Sequence, residues 1–85
     1  MSADTIARRV TVLISREFRV DLDHITPETK LDALGADHID VVNLALDVED
    51  EFGILLTEEQ MQALEVGTVG DVILIAEAGQ HKAAA

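Results

Sequence analysis

The chain contains no cysteine, no tryptophan and no tyrosine, and only one proline. Without thiols there is no disulfide frame, no zinc–thiolate site and no cysteine nucleophile. Phe18 and Phe52 are the only aromatic residues, so the core has to be aliphatic. No apolar run approaches the roughly 20 residues of a membrane span. The start lacks the basic-then-apolar pattern of a secretory signal, so the reading is a cytoplasmic protein with no membrane insertion. Positive charge is scarce too, with 6 Lys and Arg against 17 Asp and Glu and a formal net charge of -11. Arg8, Arg9, Arg16, Arg19 and Lys30 come early, and no Lys or Arg stands between Lys30 and Lys82. Such a body repels nucleic acid and anionic surfaces. It attracts and steers partners with basic patches.

Reactive groups are sparse as well. Ser2 and Ser15 are the only serines, and neither has a base beside it in sequence or sits in a nucleophile elbow. The 5 glycines are scattered and form no phosphate-binding loop. These absences argue against serine hydrolysis and against phosphate chemistry on a glycine loop. Eighty-five residues suit one small domain, expected to be monomeric.

What the sequence does contain is helical patterning. Ile6, Val10, Leu13 and Ile14 fall at helical spacing within a first helix from Asp4 to Phe18. Arg19 to Ala36 holds no sustained period and is read as a long ordered loop. Val20, Leu22, Ile25, Leu31 and Leu34 are its expected anchors. A second helix is expected from His38 to Phe52, capped at its end by Gly53. Thr57 and Gln60 form a capping box for a short third helix ending near Leu64. Thr68 opens a fourth, with Val69, Val72, Ile73 and Ala76 on its buried side and Gly79 at its end. The fold class is therefore all-α. The domain is residues 1–79, with 80–85 as a flexible C-terminal tail.

The chain is organised around Leu34-Gly35-Ala36-Asp37-His38-Ile39-Asp40-Val41-Val42, which reads as a turn, a cap and a helix start. Asp37 is a good N-cap because its carboxylate can accept orphan N–H groups. Asp40 then occupies the third helical position, where negative charge suits the helix dipole. On the second helix, Val41, Leu44, Ala45, Val48 and Phe52 share one sector, the core face. Ile39, Val42 and Leu46 form a separate apolar strip, bordered by Glu49 and Asp50. An apolar strip with an acidic rim suits docking. The competing reading has Val42 or Leu46 packing on the third helix or lining a ligand cavity.

His38, at the mouth of this helix, has two chemical readings. As an acid or base it needs an orienting partner and an enclosed pocket, and the sequence presents neither. With Asp37 and Asp40 it could form a small metal site. Asp21-Leu22-Asp23 starts like a calcium loop, but Ile25 and Thr26 stand where an oxygen ligand and a glycine are needed.

Leu34 to Asp40, followed by Val42-Asn43-Leu44 and Asp47 to Phe52, resembles the acyl carrier proteins, whose matching stretch reads Leu-Gly-Ala-Asp-Ser-Leu-Asp. Ile25-Thr26, Leu31 and Thr68-Val69 extend the resemblance over nearly the whole chain. It implies a four-helix bundle with a short third helix and a long loop between helices one and two. It also implies a serine carrying 4'-phosphopantetheine, and partner enzymes of fatty-acid, lipid or polyketide synthesis that recognise the acidic second helix. Carried onto this chain, it places Asp37, Ile39, Asp40, Val42, Leu46, Glu49 and Asp50 in docking, with Asn43 where a Glu is usual. It places His38 at the cofactor-binding position of the serine. Imidazole cannot form the stable phosphodiester, so no cofactor is expected on this chain, and its role would be that of a structural or regulatory protein, not an enzyme. A genuine carrier whose serine was substituted to hold the apo form is the nearest alternative. A metal-binding or acid–base protein using Asp37, His38 and Asp40 is the more distant one.

Overall fold

A computed structural model describes the backbone of residues 2–84 and the side chains of residues 2–80. Four helices follow in order: α1 (Ala3–Phe18), α2 (His38–Phe52), α3 (Glu58–Leu64) and α4 (Val69–Ala84). No strand forms among the described residues, and no helix among them is long and apolar enough to cross a membrane. The all-α expectation holds, as do the bounds of α2 and α3.

Local chemistry explains each boundary. Ser2 caps α1 by accepting the Thr5 amide at 3.2 Å, so the helix starts at Ala3, one residue before the expected start. Thr57 and Gln60 exchange side-chain and backbone hydrogen bonds at the start of α3, the expected capping box. Gly53 closes α2 in the left-handed region, at φ 64°, where only glycine sits without strain.

Ile6, Val10 and Ile14 of α1 meet Val41, Leu44, Ala45, Val48 and Phe52 of α2 and Val69, Val72 and Ala76 of α4. Leu64 of α3 and Ile25, Leu31 and Leu56 from the connections complete the core. Leu13 and Ile73 pack against it only partly buried. The core face read for α2 is therefore the buried face. No polar or charged side chain is buried among the described residues.

The α1–α2 connection is more structured than its lack of period suggests. It contains two 3-10 turns, Leu22–His24 and Asp32–Leu34. Its later half is bonded to the first residues of α4 and the chain just before them. Thr29 O accepts from Val69 N at 2.8 Å, Pro27 O from Gly70 N at 2.8 Å, and Leu31 N donates to Gly67 O at 3.1 Å. Leu22 does not anchor the loop; it stands 50% exposed, because the turn spends its inward position on Ile25.

Gly79 does not end α4, which continues to Ala84. A C-terminal glycine cap needs positive φ, and Gly79 is not among the glycines that have it. Its role is close approach, since an added Cβ would lie 2.7 Å from Ile54 Cδ1 and 2.8 Å from Ile54 Cγ2. Gln80 donates from its side chain to Phe52 O, drawing the next turn of α4 onto the end of α2. Residues 80–84 are thus helix rather than a tail, and Ala85 lies outside the described residues. Gly79→Ala is expected to destabilise the fold by about 1–2 kcal/mol through overpacking. Urea denaturation should show most of that loss recovered in the Gly79→Ala, Ile54→Ala double variant relative to Ile54→Ala alone.

Candidate functional site

The start of α2 is fixed by a reciprocal cap. Asp37 Oδ1 accepts the Asp40 amide at 2.9 Å, and Asp40 Oδ2 accepts the Asp37 amide at 3.1 Å. Gly35, at φ 82°, turns the chain into this cap. His38 follows as the first helical residue, with its side chain 75% exposed. Its Nδ1–H donates to Glu65 Oε1, one residue past the end of α3. The start of α2 is thereby tied to the end of α3.

Beneath that tie lies a cleft of about 180 Å³ between the two helices. Val41, Val42 and Met61 supply its apolar wall, and His38, Glu58, Gln62 and Glu65 its polar lining. The α3 contribution is not among the residues expected from the sequence. The signal was there, because Glu58, Met61, Gln62 and Glu65 recur at i, i+3, i+4 and i+7 and so share one helix face.

The other singled-out residues divide into two groups. Ile39 and Leu46 point outward, 67% and 51% exposed, and Asp50 is exposed on the same helix. Val42 instead lines the cleft, as the competing reading had it. Glu49 accepts the Leu56 amide at 2.8 Å, bracing the turn after α2. Asp37, Asp40 and Glu49 therefore each hold backbone in place besides contributing charge.

The acid–base reading of His38 gains an orienting partner in Glu65, but an imidazole this exposed has no enclosed pocket. The metal reading needs Asp37, His38 and Asp40 to converge. They do not, because the two carboxylates bind each other's amides and the imidazole turns to Glu65. Among the described residues no three His, Asp or Glu side chains form a cation site.

Every Ser and Thr hydroxyl is engaged locally. Ser2 and Thr5 pair at the start of α1, and Thr11 and Ser15 donate to the Ala7 and Val20 carbonyls. Thr26 and Thr29 pair in the loop, and Thr57 and Thr68 accept the Gln60 and Asp71 amides. None lies at the start of α2.

On the α1 side of α2, Glu17 has its carboxyl raised above the usual 4.5, first by partial loss of solvent, then by a hydrogen bond to Asp47, then by the charges of Asp47 and Asp40. A raised acid binds its proton more tightly folded than unfolded. Its contribution to stability is present below the unfolded value and is lost as pH rises through the folded one. Glu17→Gln is therefore expected to unfold at higher temperature than the parent at neutral pH. The two melting curves should converge as the pH is lowered to about 4.

The phosphopantetheine attachment site family model matches residues 8–74, a stretch that includes all of α2 and His38. An acyl carrier protein of Thermotoga maritima is 38% identical over 73 residues, 85% of this chain and 88% of that protein. An acyl carrier protein of Lactobacillus acidophilus is 38% identical over 74 residues, 86% and 90% of the two chains. The crystal structure of an acyl carrier protein from Thermotoga maritima superposes with a TM-score of 0.79 at 25% identity, covering 98% of this chain and 95% of that one.

Proposed function

The chain belongs to the acyl carrier protein family, and on that premise we propose that it is a docking member of the family that does not carry the prosthetic group itself. The family implies 4'-phosphopantetheine, which needs a hydroxyl to esterify. The residues present do not fit that group. At the start of α2 stands an imidazole held by Glu65, and the chain's hydroxyls are tied into caps and turns elsewhere. That histidine is the observation that carries the reading.

Without a tethered cargo, what remains is a shape and a charge. The chain acts as a non-enzymatic partner of fatty-acid, lipid or polyketide synthesis enzymes, occupying or stabilising their carrier-binding faces. Ile39 and Leu46 supply apolar contact, with Asp50 and the charge of Asp37, Asp40 and Glu49 around them. A genuine carrier held in the apo form by replacement of its serine is favoured by the intact cap at Asp37 and Asp40. The codon for residue 38 in the source genome separates the two readings.

Docking is tested against a purified condensing enzyme that works with acyl carrier proteins. Ile39→Asn and Asp50→Lys are each expected to weaken binding by about tenfold, and added salt to weaken it further. The same charge change at Asp23, in the α1–α2 loop, should alter affinity by less than about twofold. Unchanged affinity in both α2 variants would remove this face as the interface. Asp40 and Glu49 are poorer probes, because replacing either also removes a backbone hydrogen bond.

A further inference from the structure

Positive charge gathers away from the acidic helix. Arg8, Arg9 and Arg16 are three of the 6 Lys and Arg of the chain, and all stand exposed on α1. α2 and α3 carry neither Lys nor Arg, while α2 carries Asp40, Asp47, Glu49, Asp50 and Glu51. Solubility does not account for the arginines, because they bring a chain of net charge -11 nearer to neutrality. Arg8, Val12 and Arg16 fall at i, i+4 and i+8 and so run along one face of α1. With Arg9 they rim a hollow of about 210 Å³, floored by the half-buried Val12 and Leu13, with Glu51 at its α2 side. Arg8 and Arg9 also rim a second hollow, of about 290 Å³, with Asp4 and Thr5. The two hollows follow one another along the helix.

Of these arginines Arg9 is paired, its Nη1 donating to Glu51 Oε2 at 2.9 Å. Neither Arg8 nor Arg16 enters an ion pair among the described residues. Each has its guanidinium fork open to a carboxylate of its own. Their Cα atoms lie about 12 Å apart along the axis, at 1.5 Å of rise per residue. A small inorganic anion would engage one end of this stripe and leave Val12 and Leu13 without a partner. A nucleic acid or an anionic membrane is an extended polyanion, and beyond the stripe it would meet the acids of the rest of the chain. A second copy of the chain likewise brings a net charge of -11. A helix with two carboxylates about two turns apart and an apolar residue between them matches Arg8, the Val12–Leu13 floor and Arg16 together. Two helices also pack well here, the side-chain ridge of one lying in the groove of the other.

We propose that α1 is a second docking surface, which takes an acidic amphipathic helix of a partner protein. Its occupant is opposite in charge to the basic partner drawn to α2. Through the two faces, one on each helix, the chain joins a basic surface to an acidic one.

The probe is a capped helical peptide of alanine and glutamine, with two glutamates eight positions apart and a leucine midway. In an amide NMR titration of the full chain, saturable one-to-one shifts are expected at Thr5, Arg8, Arg9, Val12 and Arg16. A peptide of the same composition with its glutamates six positions apart, and so on different faces, should give no saturable shift there, nor should inorganic phosphate. The Arg8→Gln, Arg16→Gln double variant is expected to bind the probe about fivefold more weakly. Both residues are exposed, so its amide spectrum away from α1 should match that of the parent and show that it is folded. Unchanged affinity in the double variant would overturn the proposal, as would equal binding of the rearranged peptide or of phosphate. Shifts at the stripe with phosphatidylglycerol vesicles would assign it to a membrane and overturn the partner helix. Shifts at the stripe on concentrating the chain alone would assign it to a second copy and do the same. The titration uses neither an α2 variant nor a condensing enzyme, so its failure and that of the α2 docking face are distinguishable.

Discussion

Incubated with coenzyme A and a phosphopantetheinyl transferase of broad specificity, the chain is expected to keep its unmodified intact mass. His38→Ser, under the same conditions, is expected to gain one phosphopantetheinyl group. The difference is all-or-none because it concerns bond chemistry rather than affinity: a phosphodiester needs an oxygen at residue 38, and imidazole has none. The variant should fold as the parent does. The cap of α2 resides in Asp37 and Asp40, and the His38–Glu65 contact lies at the surface, where such pairs contribute up to about 1 kcal/mol. Peptide mapping of an adduct to the unaltered chain would overturn the reading. A His38→Ser variant that remained unmodified would mean that the departure from a working carrier extends beyond one residue.

Leu44→Ala is expected to cost about 3–4 kcal/mol, the ordinary loss when a fully enclosed leucine leaves a cavity. Leu44 is 0% exposed, at the centre of α2 between α1 and α4. Small domains hold on the order of 0.1 kcal/mol per residue in total, so this one change removes a large part of the stability of an 85-residue chain. The melting temperature should fall by about 12–30 °C, at roughly 4–8 °C per kcal/mol. Leu46→Ala, two positions along, should stay within about 0.5 kcal/mol of the parent, as surface changes do, because Leu46 is half exposed. Urea titrations with equal slopes for the two variants would show that the difference lies in the folded state. Similar losses at both positions would contradict the assignment of α2 faces.

That contrast also marks what was legible from the sequence. The core face of α2, its Asp37 cap, its Gly53 stop and the Thr57 capping box are short-range patterns, each complete within a few turns of chain. All of them reappear in the structure. Other features depend on residues that sequence keeps apart. Glu65 meets His38 across 27 positions, and Glu17 meets Asp47 only because α1 and α2 lie side by side. Gly79 looked like a stop signal until Ile54 was placed against it. Leu22 looked like an anchor because its hydrophobicity carries no information on which way a 3-10 turn faces. The cleft is half legible, since its α3 wall is a helical stripe, while of its α2 wall Val41 reads as core and Val42 as part of an outward strip.

The hydrogen bonds that join residues 27–31 to residues 67–70 have a mechanical consequence. Everything between them in the chain is α2, α3 and their connections. These bonds therefore close a ring of backbone whose contents are the site, and α1 and α4 form a frame around it. No bond of this clasp is made by a residue of α3 itself. α3 lies outside the clasp and is held by side chains instead, with Leu64 buried in the core and the adjoining Glu65 bridged to His38, so backbone bonds close the ring while packing decides where α3 lies within it.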